Sequence, residues 1–323
     1  MKKTLITGVA GFIGFYAARY ELKKGNFVIG VDNLNNYYDI KIKKDRLKIL
    51  KKEKKFIFLK NDLIDKKFYS NLKKYFHDIN SVIHLAGQAG VRYSIKNPET
   101  YIVNNILAYI KLLEFFKFSK KLKVITYASS SSVYGESGAK QISNISVNKP
   151  VSIYSASKIS MELISNVYAK IYNMNLIGLR FFTVYGPWGR PDMSYFKFLI
   201  LNKKKKNIEI FNFGKHQRSF TYIDDLIMNL FKIIYFYKKK KSKGEAYVFN
   251  LGNEKTIKLM DFLKTLEKVT GLKFKKKFVK KQLGDVERTS ANLKIEKKKF
   301  NLQFNYSLNM GLTKFYNWFK NYR

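Results

Sequence analysis

The chain has 323 residues, of which 46% are hydrophobic and 16% aromatic, so it is long and apolar enough to bury a sizeable core. It has no cysteine and three scattered histidines, which excludes disulfides and thiolate catalysis and argues against a metal site; no uncharged apolar run reaches the roughly 18 residues of a membrane span. The net charge of +40 is mostly lysine and accompanies no nucleic-acid-binding motif, so we expect a lysine-rich enzyme surface and no nucleic-acid partner.

The first half of the chain alternates strand-like and helix-like segments. The predicted strands are Thr4–Thr7, Phe27–Val31, Phe56–Leu59, Ser81–Leu85 and Lys123–Ala128. The predicted helices include Phe12–Lys24, Ile102–Phe118 and Ala156–Tyr172. This alternation predicts an α/β fold with a Rossmann-type, doubly wound parallel sheet.

The alternation changes near Arg180, where loops rich in aromatic residues and arginine begin. Beyond them we predict a helix after Asp224, a short strand at Tyr247–Asn250 and an amphipathic helix at Leu308–Lys320. The chain is also longer than one minimal dinucleotide-binding unit. We therefore expect a dinucleotide-binding domain over residues 1–180 and a smaller C-terminal lobe over residues 181–323. That lobe should mainly bind substrate, and some of its segments should return to the sheet.

A glycine-rich segment follows the first predicted strand and opens the first predicted helix. Gly8, Gly11 and Gly14 have the spacing G-x-x-G-x-x-G, which permits a tight turn and a close approach of backbone N–H groups to a pyrophosphate. Asp32 ends the next strand, where a carboxylate suits ribose hydroxyls and repels a 2′-phosphate. The sequence therefore predicts NAD, rather than NADP, as the cofactor.

Residues at the ends of the third and fourth predicted strands fit the same cofactor. Asp62 and Leu63 suit the adenine, although a helix N-cap is a serious alternative for Asp62. Small residues after the fourth strand allow the backbone to approach a ligand. Besides the glycine motif and Asp32, the predicted cofactor-binding set comprises Phe12, Ile13, Asn33, Asp62, Leu63, Leu85, Ala86, Gly87, Asn105, Tyr154, Lys158 and Phe181.

Tyr154 and Lys158 are four residues apart, and on a helix residues with that spacing share one face. A neighbouring ammonium group and a nicotinamide cation would lower the pKa of a tyrosine from its ordinary value of about 10. Four consecutive serines, Ser129–Ser132, follow an apolar strand on the ligand side of the sheet. We interpret these residues as an acid/base site. The alternative for Tyr154 and Lys158 is a surface helix pair, which the upstream glycine motif disfavours. The alternative for the serines is a solvated turn, which is disfavoured because four hydroxyls directly follow an apolar strand.

Five segments give the chain a resemblance that runs nearly end to end: Ala86–Ser94, Ser129–Gly135, Gly178–Met193, Arg218–Asp225 and Gly284–Val286. The chain resembles the extended short-chain dehydrogenase/reductases and, within them, the UDP-glucuronate 4-epimerases. The segment Trp-Gly-Arg-Pro-Asp-Met is the most specific. Three residues depart from the family pattern, and they are Gly87 for Ala, Leu283 for Pro and Asn292 for Asp.

The resemblance implies reversible conversion of UDP-glucuronate to UDP-galacturonate through a 4-keto sugar. Tyr154 is implied to take the proton of the sugar 4-hydroxyl, and Lys158 to hold the nicotinamide ribose. Ser130 is implied to hydrogen-bond the reacting oxygen, with help from Ser131 and Ser132. The reaction has no net oxidation, so NAD is expected to remain bound through turnover.

The resemblance also implies residues that contact the UDP-sugar. Arg218 matches the uracil-diphosphate site, and Arg92 and Arg190 are candidates for phosphate or the sugar carboxylate, groups that a guanidinium can bind through two hydrogen bonds. Thr183 and Asp285 complete the predicted substrate set. A homodimer through helices that include Ile102–Phe118 and Ser157–Tyr172 is implied as well, and we expect a cytoplasmic enzyme.

Related enzymes that eliminate water or decarboxylate carry an acid between the catalytic hydroxyl and the Val-Tyr-Gly segment. Ser131 and Ser132 occupy those positions in this chain, and neither can act as the general acid that elimination requires. The remaining alternative is a 4-epimerase of a neutral UDP-hexose or UDP-N-acetylhexosamine. A non-enzymatic alternative, an NAD-binding regulator of nucleic acid, is disfavoured by the complete set of Ser130, Tyr154 and Lys158.

Overall fold

This computed structural model describes residues 3–136, 141–144, 147, 149–241 and 243–322 of the chain. The strands within these residues are β1 (Lys3–Thr7), β2 (Phe27–Asp32), β3 (Phe56–Lys60), β4 (Ile79–His84), β5 (Val124–Ser130), β6 (Leu176–Phe181), β7 (Thr183–Tyr185), β8 (Ile208–Phe211), β9 (Gln217–Tyr222), β10 (Ala246–Leu251), β11 (Thr256–Lys258) and β12 (Lys276–Val279).

A parallel sheet of seven strands has the order β10-β6-β5-β4-β1-β2-β3. Two smaller sheets, β11-β9-β7 and β12-β8, are formed after residue 181. The direction of the strand order reverses between β1 and β4, and such a reversal opens a crevice at the carboxyl ends of the two strands. The predicted Rossmann-type parallel sheet is therefore confirmed.

The helices surround the sheets. They are α1 (Phe12–Lys23), α2 (Ile40–Leu50), α3 (Lys66–Lys73), α4 (Val91–Lys96), α5 (Pro98–Tyr101), α6 (Ala108–Phe116), α7 (Ile153–Tyr172), α8 (Ser194–Lys203), α9 (Ile223–Lys238), α10 (Leu259–Thr270), α11 (Lys294–Phe300) and α12 (Leu308–Tyr322). A π-helical segment (Ile102–Leu107) precedes α6, and short 3₁₀ segments lie at Ser131–Tyr134 and Asn212–Gly214. No helix among the described residues is long and apolar enough to cross a membrane.

The central strands are buried on both faces, which explains why they are apolar without alternation. In β1, Leu5 belongs to a core cluster with Tyr109 and Met161, whereas the next residue, Ile6, belongs to a second cluster with Phe15 and others. Successive side chains of a strand point to opposite faces, so the sheet separates two layers of core.

The structure changes the predicted limits of several elements. The expected single helix Ile102–Phe118 is a π-helical segment followed by α6, which ends at Phe116. β5 continues two residues beyond the predicted Ala128 because Ser129 and Ser130 pair in register with β6. Helix α9 begins one residue before Asp224, at Ile223.

The chain after Arg180 contributes to both the small sheets and the large one. β10 lies at the edge of the seven-stranded sheet, parallel to β6. β9 pairs with β7 and β11, and α12 buries Leu312, Phe315 and Phe319. Residues before and after Arg180 therefore meet above the carboxyl ends of the parallel strands.

Candidate active site

A cleft of about 720 Å³ lies where the large sheet faces the later segments. Twenty-three of the predicted site residues line it. On the cofactor side these are Gly8, Gly11, Phe12, Ile13, Gly14, Asp32, Asn33, Asp62, Leu63, Leu85, Ala86, Gly87 and Phe181. On the reacting and substrate side they are Ser130, Ser131, Ser132, Tyr154, Lys158, Thr183, Arg92, Arg190, Arg218 and Asp285.

Asn105 is the one predicted residue that lies behind the cleft wall. It is fully buried in the π-helical segment, where its Oδ1 accepts a hydrogen bond from the Gln88 N–H at 2.7 Å. Its Nδ2 donates to the Gln88 carbonyl and, at 2.9 Å, to Ser157 Oγ. Asn105 thus joins the turn after β4 to α7, and its side chain is fully used in that contact.

The glycine turn between β1 and α1 brings the backbone close to the end of β4. Gly8 has a φ of +69°, and a Cβ there would lie 2.7 Å from the Ala86 nitrogen, so only glycine fits. Gly11 is the N-cap residue of α1 and has no side chain that could cap the first N–H groups of the helix. Those N–H groups and the positive end of the helix dipole suit a pyrophosphate.

The Asp32 carboxylate is held by the backbone of two loops. Its Oδ2 accepts from the Ala10 N–H at 3.1 Å and its Oδ1 from the Leu34 N–H at 2.8 Å. Burial raises the pKa of Asp32, while the nearby Lys43 ammonium and these two N–H groups lower it. Asp62, the other predicted acid, accepts a hydrogen bond from Asn33 Nδ2 at 2.7 Å and from the Ile64 N–H. The residues of this side therefore fit NAD.

Tyr154 lies in the first turn of α7 because the helix begins with a reciprocal cap. Ser152 Oγ accepts from the Ser155 N–H, and Ser155 Oγ accepts from the Ser152 N–H, each at 3.1 Å. Burial raises the pKa of Tyr154, and a hydrogen bond with Ser130 and the charge of Arg190 oppose that rise. In the protein alone, burial therefore outweighs the effects that would lower the pKa.

The Lys158 ammonium lies one helical turn after Tyr154 and is buried, with 4% of the residue exposed. Among the described residues, its hydrogen-bond partner is the Met161 sulfur at 3.6 Å, with no oxygen acceptor. Burial lowers the pKa of Lys158 to about 8, and the Glu162 carboxylate opposes that change. A buried ammonium without an oxygen partner fits the hydroxyls of a ribose, which would complete its hydrogen bonds.

The serine turn, Ser129–Tyr134, follows β5 at the rim of the cleft. Ser130 Oγ accepts from the Ser132 N–H at 3.2 Å, which starts the 3₁₀ segment. Ser130 is paired with Phe181, the last residue of β6, and Thr183, two residues further along the chain, begins β7. The turn therefore provides hydroxyl groups beside Tyr154 and no carboxylate.

The three predicted arginines on the substrate side are already held by the protein. Arg218 donates to the carbonyls of Gln217, Val286 and Glu287 at 2.6–2.9 Å. Arg92 pairs with Asp285 at 2.9 Å, and Arg190 Nε donates to the Asp192 carboxylate at 3.0 Å. These contacts fix the direction of each guanidinium. The acceptors of Arg218 are neutral carbonyls, whereas the charges of Arg92 and Arg190 are offset by aspartates.

The structure adds aromatic residues that the sequence did not predict for the site. The Phe211 ring lies under the Arg92 guanidinium at 4.4 Å, and Tyr37 donates a hydrogen bond to Asp192 at 3.4 Å. Both residues line the cleft. Tyr37 lies shortly after Asp32 in the chain, so its closeness to that predicted cofactor residue could have indicated that it lines the same site. Phe211 belongs to the small β8–β12 sheet, and no local pattern relates it to Arg92.

Comparison with known proteins agrees with this geometry. Residues 4–252 match the NAD dependent epimerase/dehydratase family. Protein CapI of Staphylococcus aureus is 40% identical over 99% of both chains. UDP-glucuronate 4-epimerase 2 of Arabidopsis thaliana is 39% identical over 98% of this chain and 76% of its own. The crystal structure of UDP-glucuronic acid 4-epimerase from Bacillus cereus, in complex with UDP-glucuronic acid and NAD, superposes with a TM-score of 0.90, 33% identity and 99% coverage of both chains.

Proposed function

The chain belongs to the NAD dependent epimerase/dehydratase family, and on that basis we propose that it is an NAD-dependent 4-epimerase that interconverts UDP-glucuronate and UDP-galacturonate. One observation carries the proposal. Tyr154, Lys158 and Ser130 line one cleft with the hydroxyls of Ser131, Ser132 and Thr183, and no acid stands between Ser130 and Val133. Similarity over 98–99% of this chain to two UDP-glucuronate 4-epimerases supports the choice of substrate.

Each catalytic side chain has a role that its contacts allow. Tyr154 takes the proton of the sugar 4-hydroxyl as the phenolate and later returns it as the phenol, while Ser130 hydrogen-bonds the same oxygen. The Lys158 ammonium holds the ribose hydroxyls of the cofactor, and its positive charge favours the phenolate form of Tyr154. NAD, when bound, accepts a hydride from C4 of the sugar and gives it back to the other face.

The sugar carboxylate sets a further requirement, because the 4-keto sugar is a β-keto acid and is prone to lose CO₂. The carboxylate must also be held in two orientations of the sugar. Hydroxyls of Ser131, Ser132 and Thr183 suit this task better than one fixed arginine, since a rigid ion pair would oppose the turn. Arg218, with Arg92 and Asp285 nearby, is proposed to hold the UDP part.

The test is an assay of the purified protein against UDP-glucuronate, UDP-glucose, UDP-galactose and UDP-N-acetylglucosamine, with products identified by NMR. We expect UDP-glucuronate to react fastest and to give UDP-galacturonate. If UDP-glucose reacts faster, the enzyme is a 4-epimerase of neutral sugars instead. The nucleotide released by denaturation should be NAD(H), and NADP(H) as the main species would contradict the role of Asp32.

We also propose that the enzyme is a homodimer. Leu163, Val167 and Ile171 recur every fourth residue on α7 and are 60%, 54% and 65% exposed. Phe118, after α6, is 75% exposed. A stripe of exposed apolar side chains on a helix is typical of an interface. Val167→Glu should convert a dimer into a monomer in analytical ultracentrifugation, whereas Lys264→Glu, at an exposed position of α10, should not.

The division into two lobes and the cellular location, both predicted from the sequence, are also proposals. Residues 1–180 would bind NAD and residues 181–323 mainly the UDP-sugar, with β10 in the large sheet supporting a shared rather than a separate C-terminal lobe. A cytoplasmic location is proposed because both NAD and nucleotide sugars are intracellular metabolites. Cell fractionation with an antibody to the chain would test it.

A further inference from the structure

A buried ion pair lies behind the serine turn, outside the residues assigned to catalysis. Arg180, in β6, donates to the Glu162 carboxylate through Nε at 2.9 Å and through a terminal nitrogen at 2.7 Å. The two side chains are 3% and 6% exposed. Removing two charges from water is costly, and an isolated buried pair is often no more stable than an apolar one. Stability alone therefore does not explain why this ion pair is buried here.

Each member of the pair holds one end of the serine turn. At the first end, Ser129 Oγ donates a hydrogen bond to the Glu162 carboxylate. At the other end, Arg180 donates to Tyr134 Oη at 3.0 Å, and its guanidinium lies 4.8 Å from the centre of the Tyr134 ring. Tyr134 in turn donates to Asn250 Oδ1 at 2.7 Å. The turn that contains Ser130 is thus tied at both ends to one charge pair.

The same pair is attached to the helix that carries the acid/base residues. Glu162 is one helical turn after Lys158 on α7, on the same face. Ser129, which it holds, directly precedes Ser130. The distance between Ser130 and the Tyr154 hydroxyl therefore depends on a connection that runs through Glu162 from α7 to the end of β5.

We propose that Glu162 and Arg180 are positioning residues: together they hold the serine turn against α7, and the Glu162 carboxylate keeps the buried Lys158 ammonium protonated. The proposal rests on the proposed function, because it assigns to these residues the arrangement of that catalytic site. Neither residue lines the cleft, so both act through Ser130 and Lys158.

The charges around Lys158 support the second half of the proposal. Burial lowers the pKa of Lys158 to about 8, and Glu162 is the acid that raises it. From β4, His84 faces Lys158, but burial and the Lys158 charge lower its own pKa to about 3, so it is neutral. Tyr154 is neutral as well, because burial raises its pKa, and Arg190 acts on Tyr154. Replacement of Glu162 by a neutral residue should therefore make Lys158 lose its proton at lower pH.

The experiment compares Glu162→Gln, Ser129→Ala and Arg180→Lys with the wild type in two measurements over pH 6–10. One is kcat for whichever UDP-sugar the wild type converts. The other is the affinity of the stripped protein for NAD, measured by fluorescence titration without any sugar. In Glu162→Gln we expect the alkaline decline of both kcat and NAD affinity to occur at a pH lower by roughly one unit. This is the lower end of the pKa shifts that a nearby charge produces.

The other variants separate the two roles. Ser129→Ala removes the hydrogen bond between the serine turn and Glu162 but keeps the Glu162 carboxylate. We expect kcat to fall at least tenfold, as for the loss of a hydrogen bond to a charged group. The pH at which kcat and NAD affinity decline should not change. Arg180→Lys keeps the charge and should retain more kcat than Arg180→Met. If Glu162→Gln lowers only the melting temperature, with unchanged limbs and unchanged kcat at pH 7, the pair is structural and the proposal is wrong.

Failure to fold and failure of the proposed function give different results. If Glu162→Gln does not fold, Arg180→Met tests the electrostatic role, because it keeps the Glu162 carboxylate and removes the cation bonded to it. The alkaline limb of NAD affinity must then move to higher pH, and an unchanged limb overturns the electrostatic role. If the wild type converts no UDP-sugar, the proposed function fails, but the NAD titration still decides whether Glu162 sets the protonation of Lys158.

Discussion

The two halves of the cleft differ in how their charged groups are satisfied. On the cofactor side, Lys158 is buried and has a sulfur atom, rather than an oxygen, as its partner among the described residues. On the substrate side, Arg218 already donates to three backbone carbonyls, and Arg92 and Arg190 pair with aspartates. A ligand on the first side completes hydrogen bonds that the protein lacks, whereas a ligand on the second meets arginines that are already held.

This difference matches what an epimerase requires. The cofactor must stay through many turnovers, because the hydride has to return to the same sugar. The substrate must enter, turn and leave. A buried ammonium that needs a partner favours retention of the cofactor, while prearranged arginines offer charge at little cost in reorganisation and do not depend on the ligand for their own hydrogen bonds. The following predictions test this contrast, from the largest expected effect to the smallest.

The largest effect is expected at the junction of the two halves. Tyr154→Phe should lower turnover by about 10²–10⁴-fold, the range for loss of an acid/base group. Because phenylalanine keeps the ring and loses only the hydroxyl, which has a hydrogen bond with Ser130, the variant should retain as much NAD as the wild type. Tyr93→Phe, which changes a hydroxyl on the same cleft, is the matched control. Turnover within about threefold of the wild type would remove Tyr154 from the mechanism.

The second prediction concerns the stability of the protein after NAD has been removed. Burial lowers the pKa of Lys158 from 10.5 to about 8, so the folded state binds the proton less well than the unfolded state. The stability of the stripped protein therefore rises with pH between about 8 and 10.5. Below pH 8 the folded state bears the full cost of burying the charged Lys158 side chain. Lys158→Met should stabilise the stripped protein at pH 7 by up to about 3 kcal/mol, and by much less at pH 10.

Urea denaturation at the two pH values measures this difference. Lys264→Met, an exchange at an exposed position of α10, should change stability equally at both. If Lys158→Met destabilises the stripped protein at pH 7, the ammonium has a partner in the protein, and the contrast between the two halves of the cleft is lost.

Sequence reasoning can bring candidate residues together where they are neighbours in the chain or end adjacent strands. Gly8 and Asp32 end adjacent parallel strands, and Tyr154 and Lys158 are one helical turn apart, so their positions follow from local periodicity alone. The contacts of Arg218 could not be predicted in this way, because its carbonyl partners at residues 286 and 287 lie on a distant loop. Glu162 and Arg180 were missed because an acid on a helix and a basic residue in a strand carry no sign of their pairing until the sheet is built.

The third prediction tests the hydroxyls that are proposed to hold the sugar carboxylate. Thr183→Ala should slow epimerisation by roughly ten- to hundredfold, as for a lost hydrogen bond to a charged group. It should also release some UDP-4-keto-pentose, because the carboxylate is less well held out of line with the keto group. Thr183→Ser keeps the hydroxyl and should behave like the wild type. NMR of the reaction mixture distinguishes the products, and an alanine variant that slows without any keto-pentose would assign Thr183 to binding alone.

The smallest effect is expected at the Arg92–Asp285 pair, where the side chains are 49% and 14% exposed. An ion pair of that exposure is worth at most about 1 kcal/mol. Arg92→Gln should therefore raise KM for the UDP-sugar by about two- to fivefold, with kcat and NAD content unchanged.

Asp285→Asn removes the same ion pair but keeps the guanidinium, so it separates two explanations. If the guanidinium acts on the diphosphate, only Arg92→Gln raises KM, and added salt reduces the difference from the wild type. If the ion pair itself matters, both variants raise KM equally. Loss of NAD from either variant would show that the two halves of the cleft are not independent.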